Sequence, residues 1–158
     1  MVRKKILIFR NNLGYFFSHR EALIPYLKKL NWEIVLAYGN PGSKKINKHY
    51  LSKLKKYKIQ SRQIDIDTGF VKIRKELLGI ISLYNFIKKI KPDLLHTISP
   101  KANLFGGLIS LFFKFKLVIS VSGLGTLQNP KFKHLSIIYN FLFKIIFLKR
   151  KIKLIFHN

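Results

Sequence analysis

The sequence has no cysteine and only six acidic residues among its 158 residues. Without cysteine there are no disulfides and no thiolate metal sites, and a reducing compartment is expected. Long uncharged apolar runs are also missing, because Lys114 ends the stretch 102–113 and Lys144 ends the stretch 135–143. No transmembrane helix is therefore predicted. The apolar run 6–9 is too short for the core of a signal peptide.

The scarcity of acids leaves a formal net charge of +25 at pH 7. A+T-rich coding would explain the many Lys, Ile, Asn and Phe residues. It does not explain the scarcity of acidic residues, because Asp and Glu also have A+T-accessible codons. A polyanionic partner is the physical alternative, either nucleic acid or an anionic membrane. No zinc-finger, RRM or KH signature is present, whereas apolar helices are flanked by Lys and Arg. These features favour a membrane surface, and we expect no nucleic-acid partner.

Short apolar runs alternate with helical patterns along the chain. The predicted strands are 5–9, 32–37, 59–66, 94–98, 117–121 and 153–156. The first helix is predicted to begin at Ser18, with a kink or a late start at Pro25. Further helices are predicted after the turn 38–42, over residues 73–90, from Pro100 onwards and over residues 133–149. This alternation predicts a single α/β domain, 1–158, with an open, parallel, Rossmann-like sheet of about six strands and helices on both faces.

Ligands of such sheets bind at the carboxyl ends of the strands. His96 is expected at the carboxyl end of the fourth strand, followed by Ser99 as the N-cap of a helix and Pro100 as its first residue. The imidazole can bond a sugar hydroxyl or a phosphate, or be satisfied by neighbouring backbone. Lys101 can hold an anionic acceptor or be solvated. The fifth strand ends in the glycine-rich turn 122–125.

Glycines mark two further places. Gly106 and Gly107 lie inside a predicted helix, where each costs about 1 kcal/mol relative to alanine, so a close approach of backbone or ligand is expected there. The first loop, 10–17, holds only Gly14, which fits neither a dinucleotide fingerprint nor a P-loop. Gly14 either lets a ligand approach beside a helix N-terminus or serves a turn with positive φ.

The remaining features leave alternatives open. His19, in the first turn of the first predicted helix, is either a cleft-rim or a solvated residue. No carboxylate cluster suited to a metal is present. The helix 133–149 has one narrow polar stripe, so one apolar side can pack on the sheet and another can meet a membrane or a partner domain. An ordinary core helix is the other interpretation.

Three motifs in order carry a resemblance to a known family. They comprise Pro92, Asp93 and His96, then Pro100, Lys101, Asn103, Phe105 and Gly106, then Ser122, Gly123, Leu124 and Gly125. This pattern resembles the N-terminal half of family 4 glycosyltransferases of the GT-B type. The likeness is to bacterial members that build O-antigen of lipopolysaccharide, capsule and related polysaccharides on a polyprenyl carrier.

The resemblance implies a retaining, metal-independent transfer without a cofactor. The donor would be a nucleotide-sugar and the acceptor a polyprenyl-diphosphate-linked glycan, at the inner face of the cytoplasmic membrane. The substrate-binding residues carried over are Asn12, Gly14, Tyr15, His96, Pro100, Lys101, Asn103, Ser122, Gly123 and Gly125, and His19 is added as a candidate at the rim of the cleft. Ile98 occupies the position where many relatives carry a second histidine.

The residues 154–158 match the last strand of the family's N-terminal domain. In the resembled family a second domain binds the nucleotide-sugar and supplies a glutamate pair, and here the acids are scattered singly, without a carboxylate pair for glycosyl chemistry. We therefore expect the acceptor-side half of an enzyme, with no catalytic residue in this chain and no activity alone. The alternative is a non-catalytic, membrane- and acceptor-binding subunit of a two-chain glycosyltransferase.

Overall fold

The computed structural model describes residues 3–40, 44–67, 73–121, 133–148 and 151–156. Strands and helices alternate over these residues. They are β1 (Lys5–Arg10), α1 (Leu13–Arg20), α2 (Leu23–Lys29), β2 (Glu33–Tyr38), α3 (Lys44–Lys56), β3 (Gln60–Gln63), α4 (Ile73–Ile90), β4 (Leu94–Ile98), α5 (Pro100–Ser110), β5 (Lys116–Val121), α6 (Lys133–Ile146) and β6 (Ile152–Phe156).

The strands form one parallel sheet in the order β3-β2-β1-β4-β5-β6. The predicted open, Rossmann-like sheet is thereby confirmed. β1 pairs with β2 on one side and with β4 on the other, so that Ile8 lies between Leu36 and His96. The chain adds strands in one direction up to β3 and in the other direction from β4 onwards. The strand order therefore reverses between β1 and β4, which is the switch point of the fold.

Alternate residues of the strands enter two separate cores, as the two-residue period of a strand requires. Leu7 and Phe9 of β1 pack with residues of α4, α5 and Ile146 of α6. Ile6 and Ile8 pack with residues of α1, α2 and α3 on the other face. Both faces of the central strands are thus covered, which explains why β1, β2, β4 and β5 are mainly apolar, whereas the edge strand β3 is polar and largely exposed.

The first helix differs from the prediction. α1 begins at Leu13 rather than near Ser18, because the Asn12 side chain caps it by accepting a hydrogen bond from Gly14 N at 2.7 Å. A separate helix, α2, follows from Leu23 and carries Pro25 in its first turn, where a missing N–H breaks no helical bond. His19 consequently lies in the last turn of α1, not in the first turn of a helix.

The two glycines of α5 allow close packing against side chains of the protein rather than against a ligand. A Cβ on Gly106 would overlap Thr97 Cγ2 of β4, and a Cβ on Gly107 would lie 2.6 Å from Ile146 Cδ1 of α6. α5 therefore sits closer to β4 and α6 than any larger residue would permit. This close packing determines where the N-terminus of α5 lies relative to the end of β4.

Gly106→Ala should destabilise the protein by up to about 2 kcal/mol, because overpacking costs about 1–3 kcal/mol and the gain in helix propensity offsets only about 1 kcal/mol of this cost. Thr97→Ser removes the methyl group that the new Cβ would strike. The double variant should therefore lose less stability than the two single changes added together. Urea unfolding of the four proteins measures this coupling, and a Gly106→Ala variant more stable than the wild type would contradict the packing argument.

Candidate functional site

β1 and β4 end side by side at the switch point. Arg10, the last residue of β1, is the register partner of Ile98, the last residue of β4. Asn11 and Ser99 therefore leave the sheet next to each other. From here α1 runs over one face of the sheet and α5 over the other. In open α/β sheets ligands bind outside the strand ends at such a switch point, between the N-termini of the two helices, and we refer to this place as the crevice.

Three buried polar atoms at this crevice lack hydrogen-bond partners: Arg10 Nη1, Asn11 Oδ1 and Ser99 Oγ. We call these three residues the switch-point cluster. Buried polar groups are nearly always bonded in folded proteins. In the part of the chain that the structure describes, the other buried side-chain atoms without a partner are Glu76 Oε2 and Asn103 Oδ1. Unmet hydrogen-bonding capacity thus concentrates at the ends of β1 and β4 and indicates a site for a polar ligand.

Ser99 also has a strained backbone. Its φ of 99° and ψ of 150° lie in a region that glycine alone adopts readily, at a cost of about 1–3 kcal/mol for other residues. The predicted N-cap hydrogen bond is absent, since the Ser99 side chain makes no bond to the start of α5. Its carbonyl oxygen still accepts the first helical bond, from Asn103 N at 2.8 Å. The hydroxyl is therefore left buried and without a hydrogen-bond partner.

Arg10 is a buried cation that no sequence pattern singles out. Its side chain is only 8% exposed, and burial, reinforced by the charge of Arg20, lowers the pKa of Arg10 to about 10. The guanidinium lies over the ring of Tyr15, 5.4 Å from its centroid. The Tyr15 ring stacks in turn on His19 at 6.2 Å. Two of the predicted binding residues, Tyr15 and His19, therefore lie in a row with Arg10 along α1.

Gly14 lies in the first turn of α1 and not in a turn with positive φ, so that alternative is wrong. A Cβ at this position would lie 2.9 Å from Tyr50 Cε2 of α3 and 3.1 Å from Asn12 Oδ1. Glycine is therefore required here by the aromatic side chain that packs against it. Asn12 is committed to capping α1 through its Oδ1.

His96 lies in the middle of β4, not at its carboxyl end. It is buried, and its Nε2 is 2.8 Å from Ser120 Oγ of the neighbouring strand β5. Asn103 of α5 reaches the same residue, since its Nδ2 donates to Ser120 O at 2.9 Å. Ser120 thus ties the imidazole and the amide together beneath the sheet edge. Contact of His96 with a sugar hydroxyl or a phosphate stays a prediction.

Lys101 forms an ion pair at the start of α5. Its Nζ is 2.5 Å from Glu76 Oε1 in the first turn of α4 and donates to Asp67 O at 2.7 Å. The Glu76 side chain is almost completely buried. These contacts join α4 to α5, and the binding of an anionic acceptor by Lys101 stays a prediction.

Pro100 begins α5, and its carbonyl oxygen accepts a hydrogen bond of 3.5 Å from the Tyr139 hydroxyl of α6. Burial of this hydroxyl raises the pKa of Tyr139. Ser122, Gly123 and Gly125 lie outside the described residues, so the predicted turn after β5 stays a prediction.

The strand order and the polar crevice at its switch point define the class of the protein as Rossmann-like α/β. The sequence matches the glycosyl transferase 4-like family over residues 5–158. Because this match spans nearly the whole chain, the chain belongs to the glycosyl transferase 4-like family. The resemblance found in the three sequence motifs is confirmed at this level.

Solved structures share the fold. MurG from Acinetobacter baumannii is 18% identical with a TM-score of 0.57, over 76% of this chain and 36% of that chain. A putative UDP-N-acetylglucosamine 2-epimerase from Listeria monocytogenes is 13% identical with a TM-score of 0.64, over 92% of this chain and 38% of that chain. The N,N'-diacetylchitobiose deacetylase of Pyrococcus horikoshii is 12% identical with a TM-score of 0.55, over 69% and 50%. This chain therefore spans half or less of the length of each.

No curated protein sequence matches the chain. Within the described ranges, none of the helices combines the length and the apolar character needed to cross a bilayer.

Ser99→Gly should stabilise the free protein by about 1 kcal/mol, because relief of the strained φ outweighs the extra flexibility of glycine in the unfolded chain. Ser99→Ala is the matched control. It keeps the strain and removes a hydroxyl without a partner, so the free energy of unfolding should change by less than about 0.5 kcal/mol. Chemical denaturation measures both, and a loss of stability in Ser99→Gly would show that the conformation is not strained.

Proposed function

We propose that this chain is the N-terminal, acceptor-side half of a retaining glycosyltransferase. The reaction moves a sugar from a nucleotide-sugar to a polyprenyl-linked glycan at the inner face of the cytoplasmic membrane, in the synthesis of lipopolysaccharide or a related polysaccharide. The observation that carries the proposal is the buried switch-point cluster, which offers unpaired polar groups to a ligand at the point where this fold binds one. Membership of the glycosyl transferase 4-like family supports the reaction class.

The acceptor-side residues we assign are those carried over from the family resemblance together with the switch-point cluster. They are Asn12, Gly14, Tyr15, His19, His96, Pro100, Lys101, Asn103, Ser122, Gly123 and Gly125, with Arg10, Asn11 and Ser99 added. The exposed ring of Tyr15 suits stacking on a sugar face, since it is 57% exposed beside the crevice. In this proposal the nucleotide-sugar binds to a second domain or to a partner chain, which also supplies the catalytic carboxylates.

An exposed apolar surface supports attachment to a membrane. Ile137, Ile138 and Phe141 project from α6, with Leu148 just beyond its end, and each is more than half exposed. We call these four residues the α6 apolar face. The sequence contains no Asp or Glu after Asp93, so every residue with a formal charge beyond that point is a lysine or an arginine. Apolar side chains in a basic surrounding are the combination that binds anionic lipid surfaces.

Replacing Phe141 and Leu148 together by serine should weaken binding to anionic vesicles at least tenfold. These side chains are 62% and 78% exposed, and burying a Phe or Leu contributes about 1.5–3 kcal/mol. Leu30→Ser is the matched control, since Leu30 is 52% exposed on α2, on the other face of the sheet. Vesicle co-sedimentation with phosphatidylglycerol measures the change. Equal losses in the control and in the double variant would contradict attachment through the α6 apolar face.

The chain alone should transfer no sugar. We expect membranes containing polyprenyl-diphosphate-linked glycans to give product from radiolabelled nucleotide-sugars only when a donor-binding domain or chain is added. The donor-binding half of another family member can be expressed separately and added to the assay. Robust transfer by this chain alone would refute its assignment as an acceptor-side half.

One observation favours the two-chain alternative, in which this chain is a non-catalytic subunit that binds acceptor and membrane. β6 lies at the edge of the sheet, paired with β5, and its residues Leu154, Ile155 and Phe156 are exposed. Exposed apolar residues on an edge strand are suited to a protein partner. Stable co-purification with a second Rossmann-type chain would favour this alternative, and an in-frame second domain downstream would exclude it.

A further inference from the structure

Among the residues that the structure describes, no acidic side chain forms an ion pair with Arg10. Each of the six acidic side chains is engaged elsewhere: Glu21 with Lys53, Glu33 with Lys5, Asp65 with Asn40, Asp67 with Asn40 and Lys75, Glu76 with Lys101, and Asp93 with the backbone N–H of Lys5. Arg10 Nη1 is buried without a hydrogen-bond partner. An unpaired buried charge is costly, so its retention calls for a ligand of opposite charge.

The surroundings of Arg10 select an anion. Its contact with the Tyr15 ring places the guanidinium at the first turn of α1. The positive end of the helix dipole also lies at this turn. The charge of Arg20 is close enough to lower the pKa of Arg10 further. The local potential is therefore positive, and two independent features, a helix N-terminus and a buried guanidinium, converge on one point.

The other members of the switch-point cluster fit a phosphorylated ligand as well. The Ser99 hydroxyl, which has no partner, can donate to a phosphate oxygen. Asn11 Oδ1 is an acceptor only, so it suits a ligand hydroxyl or a water molecule beside the phosphate. A guanidinium binds phosphate oxygens through two parallel N–H bonds, which a lysine cannot do.

We infer that Arg10 is the receptor for the diphosphate group of the ligand that occupies the switch-point crevice. The inference deepens the proposed function and rests on it for the source of the diphosphate, since both a nucleotide-sugar and a polyprenyl-linked acceptor carry one. The binding of a diphosphate as such depends only on the geometry of Arg10, α1 and Ser99.

The full chain titrated with inorganic pyrophosphate tests the inference, by calorimetry and by thermal shift. Arg10→Met should weaken pyrophosphate binding at least about tenfold, because a charge-assisted bidentate bond is lost. The pyrophosphate affinity of Arg10→Lys should lie between that of Arg10→Met and that of the wild type. Arg3→Met is the matched control, because Arg3 lies before the amino end of β1, where it bonds Trp32 O, and its removal should leave pyrophosphate binding unchanged.

The thermal stability of the ligand-free Arg10→Met variant distinguishes a ligand-binding arginine from one that stabilises the fold. Without ligand, Arg10→Met should melt at the same temperature as the wild type or higher, because an unpaired buried charge is removed. Pyrophosphate should raise the melting temperature of the wild type and of Arg3→Met, but not that of Arg10→Met. A lower melting temperature or loss of folding in Arg10→Met, or equal pyrophosphate affinity in all four proteins, would overturn the inference.

Competition identifies the source of the diphosphate. Uridine diphosphate and farnesyl diphosphate are each titrated against bound pyrophosphate, with farnesyl monophosphate as the control. Displacement by either diphosphate supports the inference and assigns the donor or the acceptor as its source, whereas displacement by neither contradicts it. No sugar is transferred in these titrations. Arg10-dependent pyrophosphate binding would therefore stand even if the complete enzyme proved not to be a glycosyltransferase.

Discussion

The pairing of β1 with β4 is the contact on which the candidate site depends. It places Arg10 beside Ile98 and so makes Asn11 and Ser99 neighbours, although 88 positions separate them in the chain. Right-handed crossovers then carry α1–α3 to one face and α4–α6 to the other. The crevice follows from this divergence, because two helices that leave adjacent strands in opposite directions cannot cover the strand ends between them.

Buried charges at this edge of the sheet are treated in two different ways. Lys101 and Glu76 neutralise each other where α4 meets α5, and the pair stabilises that junction. Arg10 has no such partner and lies at the junction of β1 and α1. The same contrast holds for hydroxyl groups, since Ser120 bonds His96 within the sheet while Ser99 keeps its hydroxyl unpaired in a strained conformation. Paired groups hold the scaffold together, and three of the five buried unpaired atoms of the described residues lie at the ends of β1 and β4.

Local patterns were sufficient to predict much of the fold. The bounds of α4 and β4 agree with the prediction, because an apolar periodicity and the Pro92-Asp93 turn define them within a few residues of chain. The start of α1 was missed although its signal is local, since Asn12 caps the helix by accepting a hydrogen bond from Gly14 N, whereas the need for glycine at position 14 depends on Tyr50 of α3. Arg10 gave no signal among 31 Lys and Arg residues, and the strain at Ser99 arises from the tertiary structure. The site residues carried over by resemblance stay predictions, whereas the unpaired polar groups can be recognised only in the three-dimensional structure.

The central claim is that ligand binds between the ends of β1 and β4. Backbone amide chemical shifts of the ¹⁵N-labelled chain, titrated with a short polyprenyl-diphosphate glycan in detergent, test it most directly. The account predicts that the largest changes fall in residues 10–15 and 99–103, with little change at the amino edge around Trp32 and Lys58. Changes confined to the amino edge, or spread evenly over the surface, would contradict it.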